Sequence, residues 1–92
     1  MDIQEKIKDI KKNIDQMKEY EKDDIKTYHE INKMDETEYE ESSWGVVWKN
    51  RKSALYALKK SLDAYKKGIE ALNSMVYIKE LELKDIRENG AD

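Results

Sequence analysis

The sequence predicts an all-α protein, an antiparallel helical hairpin with a long second helix, which completes a bundle by self-association or with a partner. Three observations predict it: two apolar stripes at helical spacing, 42% charged residues without any proline, and an acidic segment where both stripes lapse. Long helices that pack lengthwise combine such spacing with such a composition. We expect one helical domain over residues 1–92. A chain this short has a thin core unless its helices pack well or it associates.

The first stripe predicts a helix over about residues 2–34. At about 100° per residue, seven apolar side chains fall within an arc of about 80°, one face of a straight helix. They are Ile3, Ile7, Ile10, Ile14, Met17, Ile25 and Tyr28. Two acidic residues, Glu21 and Asp24, interrupt this stripe.

Residues 35–43 are predicted to form the turn, because neither stripe continues through them. Five acidic residues crowd into this segment: Asp35, Glu36, Glu38, Glu40 and Glu41. Either Ser42 or Ser43 is the expected N-cap of the next helix, and the acids suit the positive end of its dipole.

The second stripe predicts one helix over about residues 44–88. Eleven of its thirteen positions are apolar or aromatic: Trp44, Trp48, Arg51, Leu55, Leu58, Leu62, Tyr65, Ile69, Leu72, Val76, Lys79, Leu83 and Ile86. Asn89 and Gly90 supply a C-terminal stop. The sequence leaves open a break near Gly68 or Asn73.

The charges predict how the two helices meet. Residues 15–41 carry eleven acids and four bases, whereas residues 44–68 carry seven bases and one acid. Folding the chain back near residue 39 makes neighbours of residues whose numbers add up to about 75–78. Glu21 and Asp24 then lie close to Arg51, and we expect these three charges to form a network that fixes the register.

The second helix carries more apolar surface than the first can cover. It is also about ten residues longer, so Val76 to Ile86 are expected to overhang the start of the first helix. Three arrangements remain open: two hairpins associate, another protein fills the groove, or the second helix folds back as a third. The predicted partner interface comprises Trp44, Val46, Trp48, Met75, Ile78, Leu81, Leu83 and Ile86.

No residue pattern predicts catalysis, a cofactor or a metal site, since the chain has one histidine, His29, and no cysteine. We therefore expect a protein without enzymatic activity. The second helix has a basic stripe, but we expect the acidic first helix to lie beside it, and the net charge of the chain is −3. Both points disfavour nucleic-acid binding. Met1 to Lys12 lack the apolar run of a signal peptide and no segment predicts a membrane span. The expected protein is soluble, either cytoplasmic or exported without a cleavable signal peptide.

Ser43-Trp44-Gly45 lies at the turn of a two-helix chain of about a hundred residues. In this layout the chain resembles the WXG100 family and related small helical partners of type VII secretion substrates. In the family motif one residue separates tryptophan from glycine, whereas Trp44 and Gly45 are adjacent. The resemblance implies a helical hairpin that acts as a secretion partner or adaptor.

The function predicted first is a non-enzymatic protein–protein interaction module that acts through its long amphipathic helix, with a protein or a second copy as partner. An alternative is an inhibitor of the kind that mobile elements encode, which occludes a partner protein through the acidic turn or the tryptophan edge. A further alternative is a compact monomeric three-helix bundle. The sequence identifies neither the partner nor the compartment.

Overall fold

The computed structural model describes residues 2–90 as an antiparallel hairpin of two long helices. Helix α1 spans Ile3–Asn32, a short helix α2 spans Glu36–Glu41, a 3-10 turn spans Ser43–Val46, and helix α3 spans Arg51–Glu88. No strand occurs within residues 2–90, so the predicted all-α class and hairpin architecture are confirmed. Met1, Ala91 and Asp92 of the predicted domain lie outside the described residues.

Each helix begins at a residue whose side chain accepts a hydrogen bond from a backbone N–H in the first turn. Asp2 accepts from Glu5 N at 2.7 Å, and Asn50 accepts from Ser53 N at 2.8 Å. Asp35 and Glu38 form a reciprocal capping box at the start of α2. The acidic segment therefore contains a helix, which the sequence did not predict.

The prediction that the second long helix begins at Trp44 with Ser42 or Ser43 as N-cap is wrong. This helix begins at Arg51, and Asn50 is its N-cap. The Ser42 hydroxyl instead donates to the Tyr39 carbonyl at 2.7 Å. At the other end the predicted stop is confirmed, because α3 ends at Glu88 and Gly90 has a positive φ of 56°.

Helix α3 is continuous through Gly68 and Asn73. The alternative in which the second helix breaks there and folds back as a third helix is therefore wrong. A Cβ atom added at Gly68 would meet the terminal methyl group of Met17 on α1, so the two helices approach closely at this glycine.

The register differs from the prediction by about eight residues. Ser61 donates to the Asp24 carboxylate at 2.8 Å, and the Tyr20 and Tyr65 ring centroids are 6.1 Å apart, so the numbers of both pairs add up to 85. The connection is longer than predicted, because eighteen residues separate Asn32 from Arg51.

The predicted network of Glu21, Asp24 and Arg51 is consequently wrong. Arg51 lies at the end of α1, where its guanidinium donates to the carbonyl oxygens of Ile31 at 3.3 Å and Asn32 at 2.8 Å. Asp24 is paired with Ser61 instead, and Glu21 is half-buried between the helices. Arg51 thus supplies a donor to the Asn32 carbonyl at the end of α1 and a second donor to the Ile31 carbonyl, which also accepts from Met34 N.

The apolar core is divided into two clusters at opposite ends of a rod that measures 67 × 17 × 16 Å. The tip core, beside the connection, consists of Ile31, Tyr39, Ala54 and Leu58. The open-end core, near the chain termini, consists of Ile7, Ile14 and Val76. Between them the interface contains half-buried polar residues such as Asp24 and Ser61, so neither cluster extends along the whole hairpin.

Candidate interaction surfaces

Tyr39 organises the tip, a role that the sequence analysis missed. Its side chain is fully buried, and its hydroxyl lies 2.9 Å from the Trp44 carbonyl oxygen and 2.8 Å from that of Trp48. One hydroxyl thus holds two points of the connection against α2. Burial raises the pKa of this hydroxyl above its ordinary value of 10.0, and the nearby Glu36 charge raises it further. Tyr39 is the one aromatic residue among the acids of residues 35–43, which is the signal that could have found it.

Trp44 and Trp48 belong to the tip core more than to the surface. Both rings are half-buried against this core, with their centroids 6.3 Å apart. Val46 lies between them in the chain and is 91% exposed, and Val47 beside it is also exposed. Of the predicted interface residues at the tip, Val46 alone is fully presented to solvent.

The predicted acidic patch divides into two groups. Asp35 and Glu38 are exposed but take part in the capping box, with Asp35 Oδ1 accepting from Glu38 N at 2.8 Å. Glu36, Glu40 and Glu41 are exposed and form no ion pair within residues 2–90. These three carboxylates remain available to a partner.

The predicted overhang at the open end is wrong, because the start of α1 reaches the end of α3. Val76 is buried, and Leu83 is half-buried against the open-end core. Ile3 lines a shallow groove together with Leu83 and Ile86. Because α3 starts later than predicted, the register is shifted, and α1 covers part of the stretch from Val76 to Ile86 that was expected to overhang.

Large apolar side chains nevertheless remain exposed on α3 near this end. We call this group the open-end face, and it consists of Met75, Tyr77, Ile78, Leu81 and Ile86. At about 100° per residue, these positions spread over about half of the circumference of α3, from Tyr77 on the side away from α1 to Ile86, which borders the groove beside Ile3. The predicted interface residues Met75, Ile78, Leu81 and Ile86 thus belong to one surface, whereas Leu83 lies mostly beneath it.

The opposite charges of the two helices do not form ion pairs with each other in the tip half. Within residues 2–90 the one ion pair between α1 and α3 is Lys11–Glu80 at 3.8 Å, near the open end. The remaining pairs join residues of α3 to each other, such as Asp63 and Lys67 at 2.9 Å. The acids of residues 15–41 and the bases of residues 44–68 are therefore exposed to solvent, apart from the half-buried Glu21, Asp24 and Arg51.

The described residues contain no group of three or more histidine, cysteine, aspartate or glutamate side chains that could hold a metal ion. No helix in this part of the chain is long and apolar enough to cross a lipid bilayer. Comparison of the chain with protein-family models, curated proteins and solved structures finds no match. The exposed surfaces of the described residues are therefore the basis on which a function can be inferred.

Proposed function

We propose that this chain is a non-enzymatic protein–protein interaction module that binds through the open-end face of α3. The observation that carries the proposal is that five large apolar side chains are exposed within residues 75–86, on a helix whose other side already packs on α1. Charged residues such as Glu82 and Asp85 lie among these side chains, so the face is a group of apolar side chains gathered near one end of α3. Large apolar side chains that are exposed close together mark interaction sites.

The energetic scale supports a specific contact. Burial of one such side chain from full exposure contributes about 1.5–3 kcal/mol, and these five are roughly half exposed. Their combined contribution then amounts to several kcal/mol, which is comparable with part of the cost of association. A few apolar anchors that cluster in this way carry most of the affinity in known interfaces.

The resemblance to WXG100 proteins suggests a biological form for this activity, a small helical partner of a secreted substrate. In that role the hairpin holds α3 straight while the open-end face receives the substrate. The exposed face supports the proposal independently of the resemblance.

The test is co-purification with matched variants. A tagged wild-type protein is expected to retain a protein partner or an untagged copy of itself, and an Ile78→Glu, Leu81→Glu variant is expected to lose it. The control is Asn73→Glu, Ser74→Glu, which adds the same charge at two exposed polar positions of α3. Circular dichroism checks that all three proteins remain helical. Equal retention by the wild type and the Ile78→Glu, Leu81→Glu variant, or no retention by the wild type, would contradict the proposal.

A second candidate function is inhibition of a partner protein through the tip. It is favoured by the exposure of Val46 on a connection that Tyr39 holds in place, next to the unpaired carboxylates of Glu36, Glu40 and Glu41. Such a tip suits an apolar pocket with a basic rim. In the same co-purification assay, this function predicts loss of the partner from a Glu36→Gln, Glu40→Gln, Glu41→Gln variant and retention by the Ile78→Glu, Leu81→Glu variant.

A further inference from the structure

We propose that the open-end face is covered by a second copy of this chain, packed lengthwise with the two tips at the same end. This inference rests on the proposed function, because it names the partner of the same surface. It makes the assembly a four-helix arrangement in which α1 of each copy lies next to α3 of the other.

Each hairpin has an acidic flank on α1 and a basic flank on α3. Residues 15–32 of α1 have a net charge of −3 and residues 51–68 of α3 a net charge of +5, and no ion pair joins these two stretches within a hairpin across the described residues. A second copy that carries the same two flanks is complementary to both at once. A two-fold axis makes that complementarity reciprocal.

The distribution of charge between the two halves of the hairpin determines the orientation of the copies. The open half is nearly neutral, since residues 2–14 have a net charge of +1 and residues 69–90 a net charge of −2. With both tips at the same end, the acidic part of α1 faces the basic part of α3 in the other copy, twice. With the tips at opposite ends, each strongly charged half faces a nearly neutral half. Charge complementarity selects the first arrangement.

The exposed side of α3 has a shape against which another helix can pack. Small side chains at heptad spacing, Ala57, Ala64 and Ala71, lead along one line to Ile78, with Met75 beside it. Such a line allows the backbone of another helix to approach closely along most of α3. A lengthwise contact on a rod 67 Å long and 17 Å wide offers roughly 1,000 Å² per copy, above the roughly 800 Å² that a standard interface buries on each partner.

The register within one hairpin shows which charges meet between copies. Tyr20 lies level with Tyr65 and Asp24 with Ser61, and the same levels hold between copies when the tips coincide. Lys60 and Lys67 border the line of alanines, within about 60° of Ala64 on the helix. They lie about level with Asp23 and Glu19 of the other copy, and all four side chains are exposed. Lys67 also pairs with Asp63 of its own helix, so Lys60 is the lysine that is free of an ion pair within residues 2–90.

The orientation is tested by distances between nitroxide labels in the full chain. The protein has no cysteine, so Val46→Cys places one label at the tip and Glu88→Cys places one at the open end. With the tips together, double electron–electron resonance should show separations of about 35 Å or less for each variant, because each hairpin is 17 Å across. Separations approaching the 67 Å length for both variants would overturn the orientation.

The existence and the charge dependence of the dimer are tested by sedimentation over a concentration series. We expect a mass of twice 11.0 kDa that dissociates at least about tenfold more readily in 0.5 M than in 0.05 M salt. Lys60→Glu should weaken the dimer several-fold, and addition of Asp23→Lys should recover most of this loss. Failure of that recovery in a folded protein would overturn the proposed pairing of flanks.

The two proposals fail separately. A wild-type mass of 11.0 kDa at every concentration and salt would overturn the inference of a second copy. If such a monomer still retains another protein that the Ile78→Glu, Leu81→Glu variant loses, the proposed function stands with a different partner. If it retains none, both proposals fail.

Discussion

The two ends of the hairpin enclose their apolar cores with different numbers of secondary-structure elements. At the tip, Ile31, Tyr39 and Ala54 are 0% exposed, and α2 with the 3-10 turn covers the ends of both long helices. At the open end, Ile7 and Val76 each remain 8% exposed, because only two helices are present. The tip core is fully enclosed within one chain, although Val46 and Val47 project from the connection into solvent. The open-end core is less completely enclosed, and five large apolar side chains are exposed beside it.

This difference shows why association is the expected role of the open end. Two helices in contact along a line leave their flanks in solvent, so apolar residues beside the line are covered only by a further element. At the tip the connection supplies that element. At the open end the chain reverses no further within residues 2–90, and the five residues of the open-end face remain exposed.

The largest expected difference between the two ends is in matched truncations of isoleucine. Ile31→Ala should lower the free energy of unfolding by about 4 kcal/mol, because its site is fully enclosed and cannot collapse easily. Ile14→Ala should cost about 2 kcal/mol at protein concentrations low enough to keep the chain monomeric, because the open end can relax. Urea unfolding measures both values. Equal losses in the free energy of unfolding would contradict the claim that the tip core is more completely enclosed than the open-end core.

Glycine substitutions sharpen the comparison between the tip and the middle of the hairpin. A Cβ at Gly45 would lie 2.9 Å from the Glu40 carbonyl oxygen and 3.2 Å from that of Tyr39, so Gly45→Ala should cost about 1–3 kcal/mol through backbone displacement. Gly68→Ala should change stability by less than about 1 kcal/mol, because the flexible Met17 side chain can move and alanine favours the helix. Thermal unfolding of the two variants side by side checks this order, and a larger loss at Gly68 would contradict it.

Tyr39→Phe tests the hydrogen bonds of the tip at nearly constant volume. We expect a loss of about 1–2 kcal/mol at pH 8, since the one hydroxyl proton that lies within reach of the Trp44 and Trp48 carbonyl oxygens is removed, while Trp44 O keeps its backbone donors.

This loss should depend on pH in a defined direction. The folded state raises the pKa of Tyr39, so the unfolded chain loses that proton first, and the tyrosine's contribution to stability falls as the pH rises above about 10. The difference between wild type and Tyr39→Phe should therefore shrink between pH 8 and pH 11. Urea titrations at the two pH values measure it, and a growing difference would contradict the burial of the hydroxyl.

The smallest expected effect concerns the start of α3. Asn50→Ala should cost about 1 kcal/mol, because the amide oxygen that accepts from Ser53 N is lost. Ser43→Ala should stay within about 0.5 kcal/mol, since Ser43 is exposed and does not cap α3. A larger loss for Ser43→Ala than for Asn50→Ala in urea unfolding would contradict the start of α3 at Arg51.

The two long helices and their packed sides could be predicted from sequence because heptad spacing is a local signal. Ile25 shows its limit: a straight helix places it on the packed face, but it is exposed, whereas Asp24 lies in the interface. The packed side follows a repeat of 3.5 residues per turn, and a straight helix drifts about 20° per heptad from that line.

The tip could not be predicted in the same way, because it depends on contacts between residues five and nine positions apart in a connection without periodicity. The hydrogen bonds of Tyr39 and the cap at Asn50 set the length of this connection, and that length sets the register. An error of seven residues at the start of α3 therefore displaced the predicted partners of Arg51 and Asp24. The predicted interface residues Met75, Ile78, Leu81 and Ile86 are exposed despite this error, whereas Leu83 is half-buried and Tyr77 was not predicted.

The most direct test of the account is hydrogen exchange of individual backbone amides as a function of protein concentration. At the lowest concentration, amides beside Ile7, Ile14 and Val76 should exchange faster than those beside Ile31 and Leu58, because the open end is incompletely enclosed. As the concentration rises, the open-end amides should gain protection until the two ends become similar. Exchange at the open end that is already as slow as at the tip, or that does not change with concentration, would contradict the claim that a second copy completes this end.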